Sequence, residues 1–541
     1  MRLSDDLLFS SNPPLTWAGR PCHLARASRP WVRPLVPQNK RPRRFIAFLL
    51  SAVLLAPGFA LAADAPAPPA PAPLTLDEAI RLALAHNSGI KVQTYSRDIA
   101  RANVLSAYGQ FDPSINFQRS YSQSDNPALA SLDTGLRSPA TFTQVDNYSL
   151  TLNGLLPWGL GYSLGGSAIN QRGNYNAFRS NYDTFGGISI TQPLLRGFGL
   201  SANLSGIRLA KADRSIADWT FRQLAMDTVA RVIVAYHELA FARDNLRVTI
   251  SARDRVARLL SENEKRAKVG ALSDSSVIQT RAEVATAESA IPSSEHYVQA
   301  SENALRQLIG EKDFAFVGTP PLAIEPPAPA EFVTVTPAAD LQIAYAQRPD
   351  YQAARLGVKK GRIGDATARN QLLPRLDFLG SYGYNGNDDS FAASRRQVQN
   401  EDYRAYSAGL VVSVPLTFAQ GRGQARAARL ALRQAEENVA RVEQQIAVDV
   451  ANAAGQIDSA QKRVQTARIA LDLNRQALDD EMKKLQAGTS TTFYVIDRQA
   501  RLSASELTLS RAVTDYHQAL AYYDQALGRT LERNHITLAN E

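Results

Sequence analysis

The chain has 541 residues, and 60 Lys and Arg against 51 Asp and Glu give a formal charge of +9. Residues 1–62 hold nine basic and two acidic residues, a net of +7, which leaves +2 for everything after them. A nucleic-acid partner therefore loses its electrostatic support, and the length allows either several domains or one elongated one.

Lys40-Arg41-Pro42-Arg43-Arg44 is a basic segment, Phe45 to Leu55 an apolar one, and Ala60-Leu61-Ala62 a small-residue cleavage site. Together they read as an export signal with Ala63 as the first mature residue. The apolar run is short and soon meets Pro57-Gly58, which disfavours a transmembrane helix. Residues before about 36 look unlike a leader, so the expected translation start lies near Val36. The sole cysteine, Cys22, falls upstream of the cut. The mature chain then has no disulfide and no lipid-modified N-terminal cysteine. From Ala63 to Leu74 the sequence is an Ala/Pro tether.

Thr75-Leu76-Asp77-Glu78 predicts a capping box and a short helix that His86-Asn87-Ser88-Gly89 breaks. A second helix is expected to about Tyr108. Pro113 opens a strand in which Ile115, Phe117 and Tyr121 alternate with polar residues. After a polar loop over 123–144, Tyr148, Leu150 and Leu152 mark a second strand. Leu155 to Gly159 is an aromatic-bearing turn, and Leu160, Tyr162 and Leu164 begin a third strand. Another loop is expected over 170–183. Ile188-Ser189-Ile190-Thr191 then alternates up to Pro193, which suits a strand end because it lacks a backbone donor. Gly197 and Gly199 permit a sharp change of direction. Such strands, about 10 residues long and polar on one face, fit a membrane β-barrel or a half-buried soluble sheet.

One helix is expected from Leu200 to about Lys268, ending at Val269-Gly270, and a second over 273–310 with a break at Pro292. A Pro-rich linker covers 311–338. Setting Pro113 on Pro374 (an offset of 261 residues) pairs Ala85 with Ala346, Phe117 with Phe378 and Tyr121 with Tyr382, which predicts a tandem repeat. Its second copy has a helical part over 340–371 broken near Arg348-Pro349. A strand from Leu376 to Tyr384, a polar loop over 386–404 and a return strand from Tyr406 to Pro415 follow. Beyond lies a proline-free stretch that turns at Gly488. Apolar positions from Leu432 to Leu471 recur about every 3.5 residues, which predicts a left-handed supercoil. One helix pair cannot bury both flanks of such a seam, so packing against further copies is expected. The expected divisions are 1–62 (extension and leader), 63–74 (tether), 75–310 (first repeat), 311–338 (linker), 339–530 (second repeat) and 531–541 (tail).

His86, His237, His296 and His517 are scattered, and His237-Glu238 lacks the second histidine of a zinc-protease motif. No phosphate loop or activated nucleophile is evident. The chain reads as a non-enzyme with no cofactor and no metal.

The opening L-T-L-D-E-A-I-R-L-A-L-A-H-N (74–87), Leu373-Pro374 before a strand, Q-P-L-L-R-G-F-G (192–199), the turns Val269-Gly270 and Ala487-Gly488 and the duplication together resemble the TolC-type outer-membrane efflux proteins. The resemblance runs from about Leu74 to Arg533. It implies a homotrimer: a β-barrel among outer-membrane lipids, continuous with a long periplasmic α-helical barrel of coiled-coil hairpins. It also implies the role of exit duct in an efflux or type I secretion system, passing substrate onward from a periplasmic adaptor and an inner-membrane transporter. On the same resemblance Asp497 and Tyr494 fall at the pore constriction, Gly270 and Gly488 at the adaptor-docking turns, and Pro113, Pro193, Pro374 and Pro415 at strand–helix junctions. Ser490 and Ser276 stand where the family's ionic lock would be, and Leu485 replaces a tyrosine, so that lock is expected to be absent. The family's usual four strands per protomer contrast with six candidates here, which leaves either extra barrel strands or an elaborated hairpin. A periplasmic adaptor or a coiled-coil scaffold is the alternative function. Exported substrate, adaptor and pump are not specified by the residues.

Overall fold

The computed structural model describes residues 73–127, 140–310, 321–326 and 331–538. The expected leader, its cleavage site and most of the tether lie outside the described residues, as does much of the 311–338 linker.

Thr75 starts α1 (Leu76–His86), its Oγ1 accepting the Glu78 N–H at 3.2 Å. The reciprocal half of the capping box is not made, and Glu78 faces Arg81 at 3.5 Å instead. Asn87 ends α1 and caps α2 (Ser88–Tyr108), its Oδ1 accepting from the N–H groups of Gly89 (2.8 Å) and Ile90 (3.3 Å). One short polar residue therefore makes the bend between the two helices.

The strands are β1 (Ser114–Asn126), β2 (Thr141–Leu155), β3 (Gly161–Gly173), β4 (Asn181–Pro193), β5 (Arg375–Asp388) and β6 (Tyr403–Ser413). They form one antiparallel sheet in sequence order. All six candidates thus join one sheet. The strands also run further than expected. Gln123 pairs with Gln144 and Asn170 with Tyr182, so the ends of both expected polar loops belong to the ladder. Their composition is polar, but they contain no proline to interrupt the pairing.

Between β4 and β5 lie α3 (Leu200–Asn203), α4 (Ser205–Lys268), α5 (Asp274–Ser289), α6 (Ile291–Ile309), α7 (Pro337–Gln347) and α8 (Pro349–Gln371). The expected single helix from Leu200 is interrupted at Leu204, which sets α3 apart from α4. Pro292 occupies the first turn of α6, where a missing N–H breaks no intrahelical bond. Between β5 and β6 the expected loop holds a helix, α9 (Phe391–Gln399). It escapes a reading by composition because its nine residues are mostly polar, Ser394, Arg395, Arg396, Gln397 and Gln399 among them. After β6 come α10 (Ala419–Gln486), α11 (Thr492–Leu527) and α12 (Thr530–Arg533). With 64 and 68 residues, α4 and α10 are each roughly 100 Å long.

Near the sheet the helices pack in the order α2, α4, α8, α10. Toward the Gly270 and Gly488 turns the order is α5 and α6, then α4, α11 and α10. α4 and α10 run through both layers. All twelve seam positions of α10 from Leu432 to Leu471 are buried or partly buried, and Ile446, Ile457, Ala460 and Val464 are fully so. Two cores sit where the layers meet. One joins α1, α4 and α6 around Leu239 and Leu305, and the other joins α7, α10 and α11 around Ile457 and Tyr516.

The two cores are closed alike. Gly310 ends α6 at φ +75°, and a Cβ there would crowd the backbone of His86 at the α1–α2 bend. Gly528 ends α11 at φ +76°, and a Cβ there would crowd Gln347 and Arg348 at the α7–α8 bend. Only glycine combines the left-handed turn with that close approach.

Candidate functional site

The sheet has two unlike faces. Ladder register places Ile115, Leu152, Leu164, Ile188, Tyr382 and Tyr406 in one row across all six strands. The adjacent row on the opposite face is Ser114, Asn153, Ser163, Ser189, Ser381 and Ser407. Ile115, Phe117, Leu150, Leu410 and Val412 of the apolar face are largely exposed. The chain therefore presents an uncovered apolar wall backed by a wall of small polar side chains. Among the described residues no helix is long and apolar enough to cross a membrane, a criterion that does not apply to strands.

Among the described residues both edges of the sheet are open, β1 pairing with β2 alone and β6 with β5 alone. The helical layer is open on the same two sides. α2 exposes Val92, Tyr95, Ile99 and Leu105, a stripe at helical spacing, and α10 exposes Leu430, Val448, Ile469 and Leu473.

Midway along the helices, Glu238 on α4 gathers donors from two neighbours. Tyr297 Oη on α6 donates to Oε1, Arg511 on α11 donates to both carboxylate oxygens at 2.9 and 3.1 Å, and Gln518 Nε2 donates to Oε2 at 2.8 Å. Burial pushes the Glu238 pKa up, but these bonds outweigh it and hold the carboxylate below its usual range. Burial and that carboxylate push the Tyr297 phenol up to about 12. Next to this cluster His237 stacks on His517, with ring centroids 4.5 Å apart and planes 4° from parallel. The histidines are thus not all scattered: helix packing brings two together. Burial first, and then His517, depresses His237 to about 3, so it is neutral at physiological pH.

The tip is built by two matched turns. Gly270 and Gly488 have φ of +76° and +77°. In each, the next residue's N–H bonds a carbonyl five residues back: Ala271 to Arg266 at 2.9 Å, and Thr489 to Lys484 at 3.0 Å. This is the Schellman closure that a left-handed glycine makes possible. No described atom lies within 4 Å of a Cβ built on either glycine. Behind the turns, Leu259, Leu478, Val495 and Leu502 form a small core joined by Leu485. Asn263 Nδ2 donates to Thr280 Oγ1 at 3.0 Å in a buried bond between α4 and α5. Ser490 Oγ donates to Glu481, and Ser276 pairs with Ser273 at 3.0 Å.

Tyr494 is exposed and Asp497 partly so, and both lie on one free stripe of α11 that continues through Arg501. Asp497 is not a lone acid: Arg501 Nε donates to its Oδ2 at 2.8 Å. The i, i+4 spacing of this pair was legible in the chain. Of the junction prolines, Pro113 and Pro374 stand immediately before β1 and β5, Pro193 closes β4, and Pro415 lies two residues beyond β6. Among the described residues no group of three or more His, Cys, Asp or Glu side chains is placed to hold a metal.

Comparisons with known proteins agree with this architecture. Over 379 residues the chain is 24% identical to outer membrane protein TolC of Vibrio cholerae, a match covering 68% of this chain and 83% of that one. It is 23% identical over 360 residues to the alkaline protease secretion protein AprF of Pseudomonas aeruginosa, covering 65% and 70% of the two chains. The fold is similar to that of the solved outer membrane protein VceC of Vibrio cholerae, with a TM-score of 0.62 at 17% identity over 84% of this chain and 96% of that one. A family model described as outer membrane efflux protein matches residues 79–311 and 341–529, and the chain belongs to that family.

Proposed function

We propose that three copies of this chain close into one outer-membrane duct, through which substrate delivered by a periplasmic adaptor and an inner-membrane transporter leaves the cell. The observation that carries this reading is the matched pair of open edges. β1 and α2 end the two layers on one side, and β6 and α10 end them on the other. Inside hydrocarbon an unpaired strand edge costs several kcal/mol per polar group. Pairing β6 of one copy with β1 of the next removes that cost. The same rotation brings the exposed stripe of α10 against the stripe of α2. Three six-stranded sheets then make an eighteen-stranded barrel, a size that leaves an aqueous channel. The polar Ser/Asn rows face that channel and the apolar rows face lipid. The corresponding closures at Gly310 and Gly528 support the reading of two tandem repeats, 75–310 and 339–530.

In this duct the chain is passive. Opening follows from contact with the adaptor at the Gly270 and Gly488 turns. The tip is held shut by the neutral Asn263–Thr280 bond and by Ser490 donating to the Glu481 carboxylate, in place of the family's ionic lock. Tyr494 and Asp497 line the constriction, and the Asp497–Arg501 pair leaves that ring close to neutral.

Closure is tested by cross-linking. With Cys22 replaced by Ser, Gln118→Cys on β1 and Ser407→Cys on β6 are combined and treated in membranes with a short bifunctional thiol reagent. The double variant is expected to give covalent dimers and trimers, and each single variant none. A double variant that stays monomeric while resisting extraction as a folded outer-membrane protein overturns the closed-ring reading.

A further inference from the structure

Among the described residues, what covers the apolar wall of the sheet is α9, which lies across its end remote from the helices. Ser394 is fully buried there, its Oγ donating to Tyr182 O at 2.8 Å and lying 2.6 Å from Thr184 Oγ1. Glycines make this approach possible. A Cβ on Gly386 would collide with the Ser394 carbonyl, and one on Gly186 would stand 2.9 Å from Val398 Cγ1. Thr184, Gly186 and Gly386 belong to the same face as Ile188 and Tyr382, so α9 sits on the apolar side. Phe391, Ser394, Arg395 and Val398, spaced 3, 1 and 3 residues apart, form its sheet-facing stripe.

Between α9 and the sheet runs a groove of about 880 Å³. Its floor includes Ile115, Phe117, Leu150 and Leu164, with Tyr148 and Arg395 among its polar linings. No carboxylate lines it, and Arg395 has no ion-pair partner among the described residues. Arg396, the next residue, is also exposed. A guanidinium without a counter-ion at an apolar groove is complementary to one kind of molecule, a chain of hydrocarbon ending in an anion.

We propose that this groove binds an anionic membrane lipid, one acyl chain lying along Phe117, Leu150 and Leu164 and the phosphate meeting Arg395. The inference rests on the barrel reading above, which turns the apolar face to lipid and places α9 at the outer leaflet. An arginine near an anionic membrane surface is worth roughly 1 kcal/mol, about a fivefold change in affinity. The role of α9 is then to select a charged lipid where bare strands would take any.

The test is native mass spectrometry of the detergent-extracted protein titrated with dioleoyl phosphatidylglycerol or dioleoyl phosphatidylcholine. Wild type is expected to take up one phosphatidylglycerol per protomer with at least about fivefold preference. Arg395→Gln is expected to abolish the preference, and Leu150→Trp to reduce uptake of both lipids by narrowing the groove. Inorganic phosphate is expected to displace none of the lipid. Equal uptake of the two lipids by wild type, a preference unchanged in Arg395→Gln, or displacement by inorganic phosphate overturns the proposal. Conductance in a planar bilayer separates the two readings. Protein that conducts yet shows no lipid preference refutes the lipid site alone, whereas protein that neither inserts nor conducts refutes the duct and the lipid site with it.

Discussion

Asp497 and Arg501 give opposite predictions for one observable, the charge selectivity of the pore. In the proposed trimer each copy would bring one acid and one base, in contact at 2.8 Å within the chain, to a constriction that is then close to electrically neutral. Asp497→Ala leaves three uncompensated guanidinium groups, and Arg501→Gln leaves three carboxylates. Taking each charge about 6 Å from a permeating ion, in water, gives about 0.7 kcal/mol per charge and about 2 kcal/mol for three. Screening at 0.1 M salt lowers this to about 1 kcal/mol, of opposite sign for cation and anion, which changes the cation-to-anion permeability ratio by about thirtyfold. The assay is the reversal potential across a planar bilayer under a tenfold KCl gradient. Asp497→Ala is expected to shift selectivity toward chloride, and Arg501→Gln toward potassium by a similar factor. If neither substitution moves the reversal potential while single-channel conductance is retained, this stripe of α11 does not line the constriction.

Four further outcomes follow from the helical part. The folded-state pKa of His237, about 3, lies below its unfolded value, so its contribution is complete above pH 6.5 and is lost as pH falls toward 3. By pH 4 the loss is on the order of 3 kcal/mol. Thermal melting at pH 7, 5.5 and 4 should therefore fall more steeply for wild type than for His237→Phe, and identical slopes would remove His237 from the account. Gly528→Ala imposes a side chain at φ +76° against the backbone of Arg348 and should cost about 2–3 kcal/mol, read as a lower denaturant midpoint. Gly455→Ala, an open helical position, should be neutral or slightly stabilising. Tyr516 is fully buried, its Oη donating to Glu331 O at 2.6 Å and accepting from Val333 N–H at 3.1 Å. Tyr516→Phe leaves both unpaired and should cost about 1–3 kcal/mol. A change within error would mean that water replaces the hydroxyl.

Much of this architecture was legible because its physical signals are local. Asn87, Pro292 and Arg348-Pro349 interrupt helices, and each break stands where the residue chemistry places it. The spacing of Leu432 to Leu471 marks the buried side of α10 because one helix face must be apolar along its whole length. Features made by residues distant in sequence were not legible. Glu238 gains its meaning from Tyr297, Arg511 and Gln518 on two other helices, and His237 from His517, 280 residues away. The strands outrun their apolar cores because the ladder is made by backbone groups, which polar residues supply as well as apolar ones. α9 was hidden for a related reason: its contact residues include Ser394 and Arg395, so hydrophobicity alone does not reveal the face. Tyr494 and Asp497 stand out through the family resemblance alone, and their common stripe with Arg501 supplies the geometry that a pore test requires.

The most direct measurement is single-channel conductance of protein extracted from the outer membrane as a folded oligomer. Wild type should be recorded beside Asn263→Ala combined with Glu481→Ala, which loosens the tip. The duct account predicts discrete conductance steps, with the loosened variant open for a larger share of the time. Folded oligomer that gives no steps in either form would contradict it.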